Sequence, residues 1–162
     1  MSSEPDSAAP VETWDSTTPE SRTPEAWRRW ATEMPITGAL NIEIGEIGEG
    51  RLLATVTESA LPLNPNGSLH GGTQLAIADQ CMGLVAIPAI EPGFVVVSAG
   101  VHASFHRPAL PPLTIRGRVL STGKTLVQTE IELYDERDRL CTSAYGTMAV
   151  LAHDVATGER RR

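Results

Sequence analysis

The sequence predicts an α+β fold in which an antiparallel sheet covers one long, buried helix. Three observations predict it. Residues 73–87 contain ten apolar residues in fifteen, with no β-type alternation. Two alternating segments precede this stretch and four follow it. Short polar turns separate the later segments, as antiparallel neighbours require, and a helix is then needed to cover one face of the sheet.

The elements follow in order. Thr23-Pro24-Glu25 reads as an N-cap, a proline at the first helical position and an acid in the first turn. A short helix over 24–34 results, stopped before Pro35. Residues 40–47 alternate apolar and polar, Gly48-Glu49-Gly50 supplies a turn, and 51–57 resume the alternation, giving a hairpin. A turn-rich stretch over 61–69 leads to the central helix, which Pro88 ends. Strands are predicted over 94–107, 113–120, 125–134 and 140–151, with turns at Ser121-Thr-Gly-Lys124 and Asp135-Glu-Arg-Asp138.

At 162 residues and 41% apolar composition the chain is read as one domain, over 35–152, behind the short helix. The net charge of -7 argues against a general nucleic-acid binder, which needs a basic face. Much of that charge sits in residues 1–23, where five acids face Arg22 alone. This Ser-, Thr- and Pro-rich segment is expected to be a disordered acidic tail. Residues 153–162, ending Arg160-Arg161-Arg162, are expected to be a second, solvated tail. The N-terminus has no basic start followed by an apolar run, so no secretory signal is expected. The apolar run over 75–87 is too short to span a bilayer. A soluble, cytoplasmic protein without membrane contacts is the expectation. Cys81 and Cys141 lack paired spacing and read as small buried hydrophobes, not as a zinc site or a disulfide.

The stretch from Asn64 to Asp79 concentrates the chemistry. His70-Gly71-Gly72 stands directly before the helix, where the first amides have no intrahelical partner and the dipole is positive. Glycine there lets a carbonyl oxygen approach the backbone, as an oxyanion hole requires; plain chain reversal is the other reading. Asp79 is the only acidic or basic residue between His70 and Glu91. On a helical wheel it groups with Thr73, Ala76, Gln80 and Gly83, a stripe that faces either water or another helix or ligand. Gly71 and Asp79 are eight residues apart, about 12 Å along a helix. A general base must reach its proton directly or through one water. If both act in one reaction, an antiparallel second copy of the helix has to bring them together, which implies a two-fold dimer with two shared sites.

Further along, alternation places Ala99, Val101, Ala103 and Phe105 on one face and Ser98, Gly100, His102, Ser104 and His106 on the other. His102 and His106 are about 13 Å apart on a strand, which excludes shared chelation of a metal unless the strand bulges. Ser98 lacks a nucleophile elbow and is better read as orienting a water. Lys124, the only lysine, lies in a Gly-Lys-Thr turn without a P-loop frame; it is either a phosphate contact or a solvated turn residue.

Asn64, Gly67, His70-Gly71-Gly72 and Asp79, with Ser98 followed by Arg107-Pro108-Ala109, resemble the hotdog-fold acyl-CoA thioesterases. The resemblance covers about residues 35–151. It is nearest to the phenylacetate-pathway (PaaI-like) branch of the 4-hydroxybenzoyl-CoA thioesterase superfamily. It implies a central helix wrapped by an antiparallel sheet, homodimers with shared sites, and commonly homotetramers. It further implies that Gly71 donates its amide to the thioester carbonyl while Asp79 of the partner subunit acts as general base or nucleophile. Ser98 would position the water, and Asn64 and His70 would shape the Gly71 loop. Gly72, Arg107, Gly123, Lys124 and Thr125 would bind coenzyme A. His102 and His106 depart from the family's usual amide, acidic or aliphatic residues. The implied reaction is hydrolysis of an aromatic or medium-chain acyl-CoA, with no cofactor or metal. A hotdog dehydratase, a non-catalytic acyl-CoA-binding hotdog module and a thioesterase acting on acyl carrier protein are the rivals.

Overall fold

The computed structural model describes residues 18–153, so the expected acidic tail through residue 17 and the tail from residue 154 lie outside the described residues. Its elements are α1 (Pro24–Glu33), α2 (Pro35–Ala39), β1 (Ile42–Gly48), β2 (Arg51–Val56), α3 (Gly71–Ala86), a 3-10 turn (Ile87–Ala89), β3 (Phe94–Phe105), β4 (Leu113–Thr122), β5 (Leu126–Tyr134) and β6 (Leu140–Ala152). The six strands form one antiparallel sheet in the order β1-β2-β4-β5-β6-β3. α3 lies across its concave face against β3, β4, β5 and β6. The fold is the hotdog arrangement, a sheet curled around one helix.

The sheet's alternation builds the core. Ile42, Ile44 and Ile47 of β1, Leu52, Ala54 and Val56 of β2, Leu113 and Ile115 of β4, and Val127, Ile131 and Leu133 of β5 are buried in one cluster with α3. Ile77, Ala78, Cys81, Met82, Leu84, Val85 and Ala86 of α3 complete it. No helix among the described residues is long and apolar enough to cross a membrane.

Local rules hold at the chain's start. The Thr23 hydroxyl accepts from the Ala26 N–H at 3.3 Å, capping α1 with Pro24 in its first turn. α1 buries Ala26, Trp27, Trp30 and Ala31 against β1 and joins the main core. Arg22 lies over the Trp27 ring, 5.0 Å from its centroid, and donates to the carbonyls of Pro88 and Ile90 at 2.9 and 2.8 Å. The approach to α1 is thereby tied to the end of α3.

Three features depart from the sequence expectation. Pro35 stops α1 but also starts a second short helix, because a fixed φ and missing N–H are tolerated in a helix's first turn. Pro88 likewise falls inside the 3-10 turn that extends α3. Third, β3 bulges between Ser98 and Gly100, so Ser98 pairs with Met148 and Gly100 with Thr147. The extra residue, Ala99, reverses the alternation. Val96 before the bulge and Val101 and Ala103 after it all pack on the core. Ser98 therefore shares the helix-facing side with Val101, Ala103 and Phe105, and not with His102.

α3 and the sheet meet without room to spare at Gly146 on β6. A Cβ there would lie 2.3 Å from Met82 Sδ and 2.9 Å from Thr129 Oγ1. Met82 and Thr129 are fully buried, so neither can withdraw freely. Gly146→Ala is expected to destabilise the fold by about 1–3 kcal/mol through overpacking, read as a lower urea midpoint at unchanged m-value.

Candidate functional site

The loop before α3 is held by Asn64. Its Oδ1 accepts from the Asn66 and Ser68 N–H groups at 2.9 and 3.2 Å, and its Nδ2 donates to Ser68 Oγ at 3.0 Å. Backbone bonds from Asn64 N–H to Ser68 O (2.8 Å) and from Gly67 N–H to Asn64 O (2.9 Å) close the turn, with Gly67 at φ 75°. These bonds occupy the Asn64 amide within the loop, which makes it a residue that shapes the site.

The loop is then anchored to the core. Leu69 is buried and its N–H donates to Ala109 O at 2.9 Å. Its carbonyl accepts from Gln74 Nε2 at 2.9 Å, and Gln74 Oε1 accepts from the Thr142 hydroxyl on β6. Gln74 is 4% exposed, so this amide bridges loop, helix and sheet from within. Sequence reasoning passed over Gln74; its only signal was a polar side chain on the first turn of an otherwise apolar helix.

His70 is the N-cap of α3, with extended ψ, and its Nδ1 accepts from the Gly72 N–H at 3.0 Å. Acceptance there puts the ring proton on Nε2. The cap takes the Gly72 amide, and among the described residues no acceptor pairs with the Gly71 N–H. Gly71 thus presents a free donor at the positive end of a sixteen-residue helix. The Phe105 ring lies against it: a Cβ on Gly71 would be 3.3 Å from Phe105 Cζ. Phe105 is 53% exposed, leaving one side of the ring open. Alternation already groups Phe105 with Val101 and Ala103; what the sequence does not show is its long-range contact with Gly71.

Asp79, half-buried two turns on, accepts from Ser98 Oγ at 2.5 Å through Oδ1. The bond leaves Oδ2 for a further partner. The outward stripe around Asp79 consists of Leu75, Ala76 and Gly83. Thr73 and Gln80, which the helical wheel placed with Asp79, turn aside: Thr73 is buried, and Gln80 Nε2 donates to Thr37 Oγ1 at 3.1 Å. The structure brings His70, Gly71 and Gly72 together with Asn64, and Asp79 with Ser98. These two groups are at opposite ends of one stretch of helix.

Arg107 follows the Gly71 end of β3, where its Nη1 donates to Leu140 O at 2.8 Å. The Gly123-Lys124-Thr125 turn is exposed and lies at the other end: Val150 N–H donates to Thr125 O at 2.9 Å, and Val150 pairs with Val96, two residues from Ser98. One chain does not bring Arg107 and Lys124 to the same place. His106 Nε2 meets Ser143 Oγ at 2.8 Å, and His102 Nε2 meets Ser104 Oγ at 3.5 Å. No cluster of three His, Cys, Asp or Glu occurs among the described residues. Burial pushes the Cys81 thiol up to about 12, so it offers no thiolate, and desolvation also raises Cys141. A groove of about 870 Å³ runs between α1 and the outer sheet face past Arg28, Arg116 and Glu132, and neither Gly71 nor Asp79 lines it.

Comparison with known proteins gives consistent results. The thioesterase superfamily model matches residues 66–142. The 1,4-dihydroxy-2-naphthoyl-CoA hydrolase of Escherichia coli is 31% identical over 116 residues, covering 70% of this chain and 85% of the relative. Among solved structures, thioesterase HI1161 from Haemophilus influenzae aligns with a TM-score of 0.71 and 27% identity over 80% of this chain and 91% of its own. A hypothetical thioesterase from Streptococcus pneumoniae, solved with coenzyme A, aligns with a TM-score of 0.63 and 26% identity over 69% and 87%.

The Gln74 bridge is the joint on which the loop's position depends. Gln74→Leu leaves the Leu69 carbonyl and the Thr142 hydroxyl buried without their partner, at an expected cost of about 2–4 kcal/mol. Adding Thr142→Val should recover part of that loss in a double-mutant cycle read by urea unfolding.

Proposed function

The chain belongs to the thioesterase superfamily, and from that premise we propose that it hydrolyses aromatic or medium-chain acyl-CoA at two sites shared across a homodimer. Thioester hydrolysis is the activity of the family. The observation that supports the shared site is the pairing of a free Gly71 amide with an Asp79 carboxylate about 12 Å away on the same rigid helix. Each site joins Gly71 of one chain to the partner's Asp79.

In this reading the thioester carbonyl oxygen sits at the start of α3 and accepts from the Gly71 N–H. The partner's Asp79 takes a proton from water through Oδ2, while the Ser98 hydroxyl holds Oδ1. The water oxygen bonds to the carbonyl carbon, and the negative charge that develops on the carbonyl oxygen is met by the amide and the helix dipole. The tetrahedral intermediate collapses with cleavage of the C–S bond. The sulfur leaves as thiolate and takes the proton that Asp79 removed, giving a carboxylic acid and free coenzyme A.

Coenzyme A as donor is supported by the Streptococcus pneumoniae relative solved with that ligand. An aromatic acyl group is supported by the E. coli naphthoyl-CoA hydrolase. It also suits the exposed Phe105 ring against Gly71, with Leu75 one helical turn on. Arg107 at the Gly71 end and Lys124 at the Asp79 end converge on one site only when two chains are paired antiparallel. They then supply cations for the phosphates of coenzyme A.

Free-thiol release from a panel of aromatic and straight-chain acyl-CoAs tests the assignment. Asp79→Asn is expected to lower kcat by about 100-fold or more, the range for loss of a general base, with a smaller change in KM. Undiminished turnover by Asp79→Asn would remove Asp79 from the mechanism. Absence of turnover on every acyl-CoA by the wild type would favour a module that binds acyl-CoA without cleaving it.

A further inference from the structure

The Gly71 N–H and the His70 carbonyl belong to one planar trans peptide and point in opposite directions. Whatever holds the His70 oxygen therefore aims the Gly71 donor. The Gln74 N–H holds it, at 3.1 Å. Every helix makes a bond of that kind to its N-cap carbonyl. What α3 adds is the Gln74 side chain, whose Nε2 reaches back past His70 to the Leu69 oxygen at 2.9 Å. One residue thus grips the two consecutive peptides that lead into Gly71. The rotations between those two planes are φ and ψ of His70, which stand at -58° and 140°. With a hydrogen bond on each plane, neither angle can drift far without breaking one of them.

The grip is itself anchored. The Thr142 hydroxyl on β6 donates to Gln74 Oε1, which leaves Nε2 turned toward the Leu69 carbonyl. Thr142 is also the cross-strand neighbour of Phe105, whose ring rests on Gly71. Gln74 and Thr142 are 4% and 0% exposed. A buried amide and hydroxyl contribute little to stability beyond an apolar pair of the same shape, so folding alone gives little reason for them. A buried polar network with every member satisfied does, however, hold one geometry rigidly.

We propose that Gln74 is a positioning residue for the reaction: its side chain, held by Thr142, sets the Leu69–His70 peptide and through it the direction of the Gly71 donor. The inference rests on the thioester-hydrolysis reading above. Gln74 touches no substrate and acts on the transition state through the Gly71 N–H. An oxyanion donor is effective when it already points to where the charged oxygen will be. Loss of the grip therefore lowers the rate of the chemical step more than it lowers affinity.

Gln74→Leu, alone and combined with Thr142→Val, tests this in the full-length chain. Both variants lack the donor to the Leu69 carbonyl. The double variant no longer buries an unpaired Thr142 hydroxyl and should be the more stable of the two. Assayed where circular dichroism shows each protein folded, both are expected to lose about 10- to 100-fold in kcat, as for a slightly misplaced catalytic group, with KM little changed. A residue needed for stability alone would let kcat recover with the urea midpoint. Wild-type kcat in the double variant would therefore overturn the proposal, whether or not Gln74→Leu folds by itself. A second readout needs no turnover. In protein labelled with isotopic glycine, the Gly71 amide resonance is identified by its absence from Gly71→Pro, and it should be displaced in both variants. Lost turnover with an unmoved Gly71 resonance would also overturn the proposal. If the wild type cleaves no acyl-CoA, the hydrolysis reading fails, while a displaced resonance still upholds Gln74 as the residue that aims the donor.

Discussion

The rigidity of α3 is the constraint on which the site depends. A hydrogen-bonded helix cannot shorten, so the eight residues between Gly71 and Asp79 keep the free amide and the carboxylate about 12 Å apart. The helix is gripped along its length by buried Ile77, Ala78, Cys81, Met82, Leu84 and Val85. Bending it to bring its own two groups together would empty that core. In the proposed homodimer two chains solve the distance problem by symmetry, because antiparallel copies of the same span bring unlike ends together twice.

In the proposed reaction each end of the span is fitted to one half of the chemistry. At the start, His70 caps Gly72 and leaves the Gly71 amide unclaimed, while Asn64 and Gln74 fix the loop from outside and inside. At the other end, Ser98 occupies one oxygen of Asp79 and leaves the other open. Ser98 reaches Asp79 only because Ala99 is accommodated as a bulge, which turns the first half of β3 over relative to the second. With the bulge in place Ser98 shares the side of β3 on which Phe105 meets Gly71. One inserted residue thus aligns both ends of the strand with both ends of the helix.

Much of this was legible in the chain, and the parts that were not share a physical reason. The Thr23-Pro24 start, the Gly48–Gly50 turn, where Gly48, Glu49 and Gly50 all take positive φ, and the α3 start at His70-Gly71 follow from local backbone chemistry. Such features announce themselves within four or five residues. The bulge at Ala99 is set by pairing with Met148 and Thr147, some fifty residues away. Strict alternation therefore put Ser98 on the wrong face. Gln74 and Arg22 were missed for a similar reason, since their partners Thr142, Pro88 and Ile90 are distant in sequence. Pro35 and Pro88 were read only as helix stops, although proline also suits a first turn.

The measurement that most directly tests the shared site is complementation between two inactive chains. Gly71→Pro deletes the donor amide at the first helical position, where proline is tolerated, and His70 already has the extended ψ that a following proline favours. Chains bearing Gly71→Pro and chains bearing Asp79→Asn are co-expressed or unfolded and refolded together. In each mixed dimer one site carries both lesions and the other carries neither. Random pairing of equal amounts should restore about a quarter of wild-type thiol release. A mixture no more active than the separate variants, with mixed dimers shown to form, would contradict a site built from two chains.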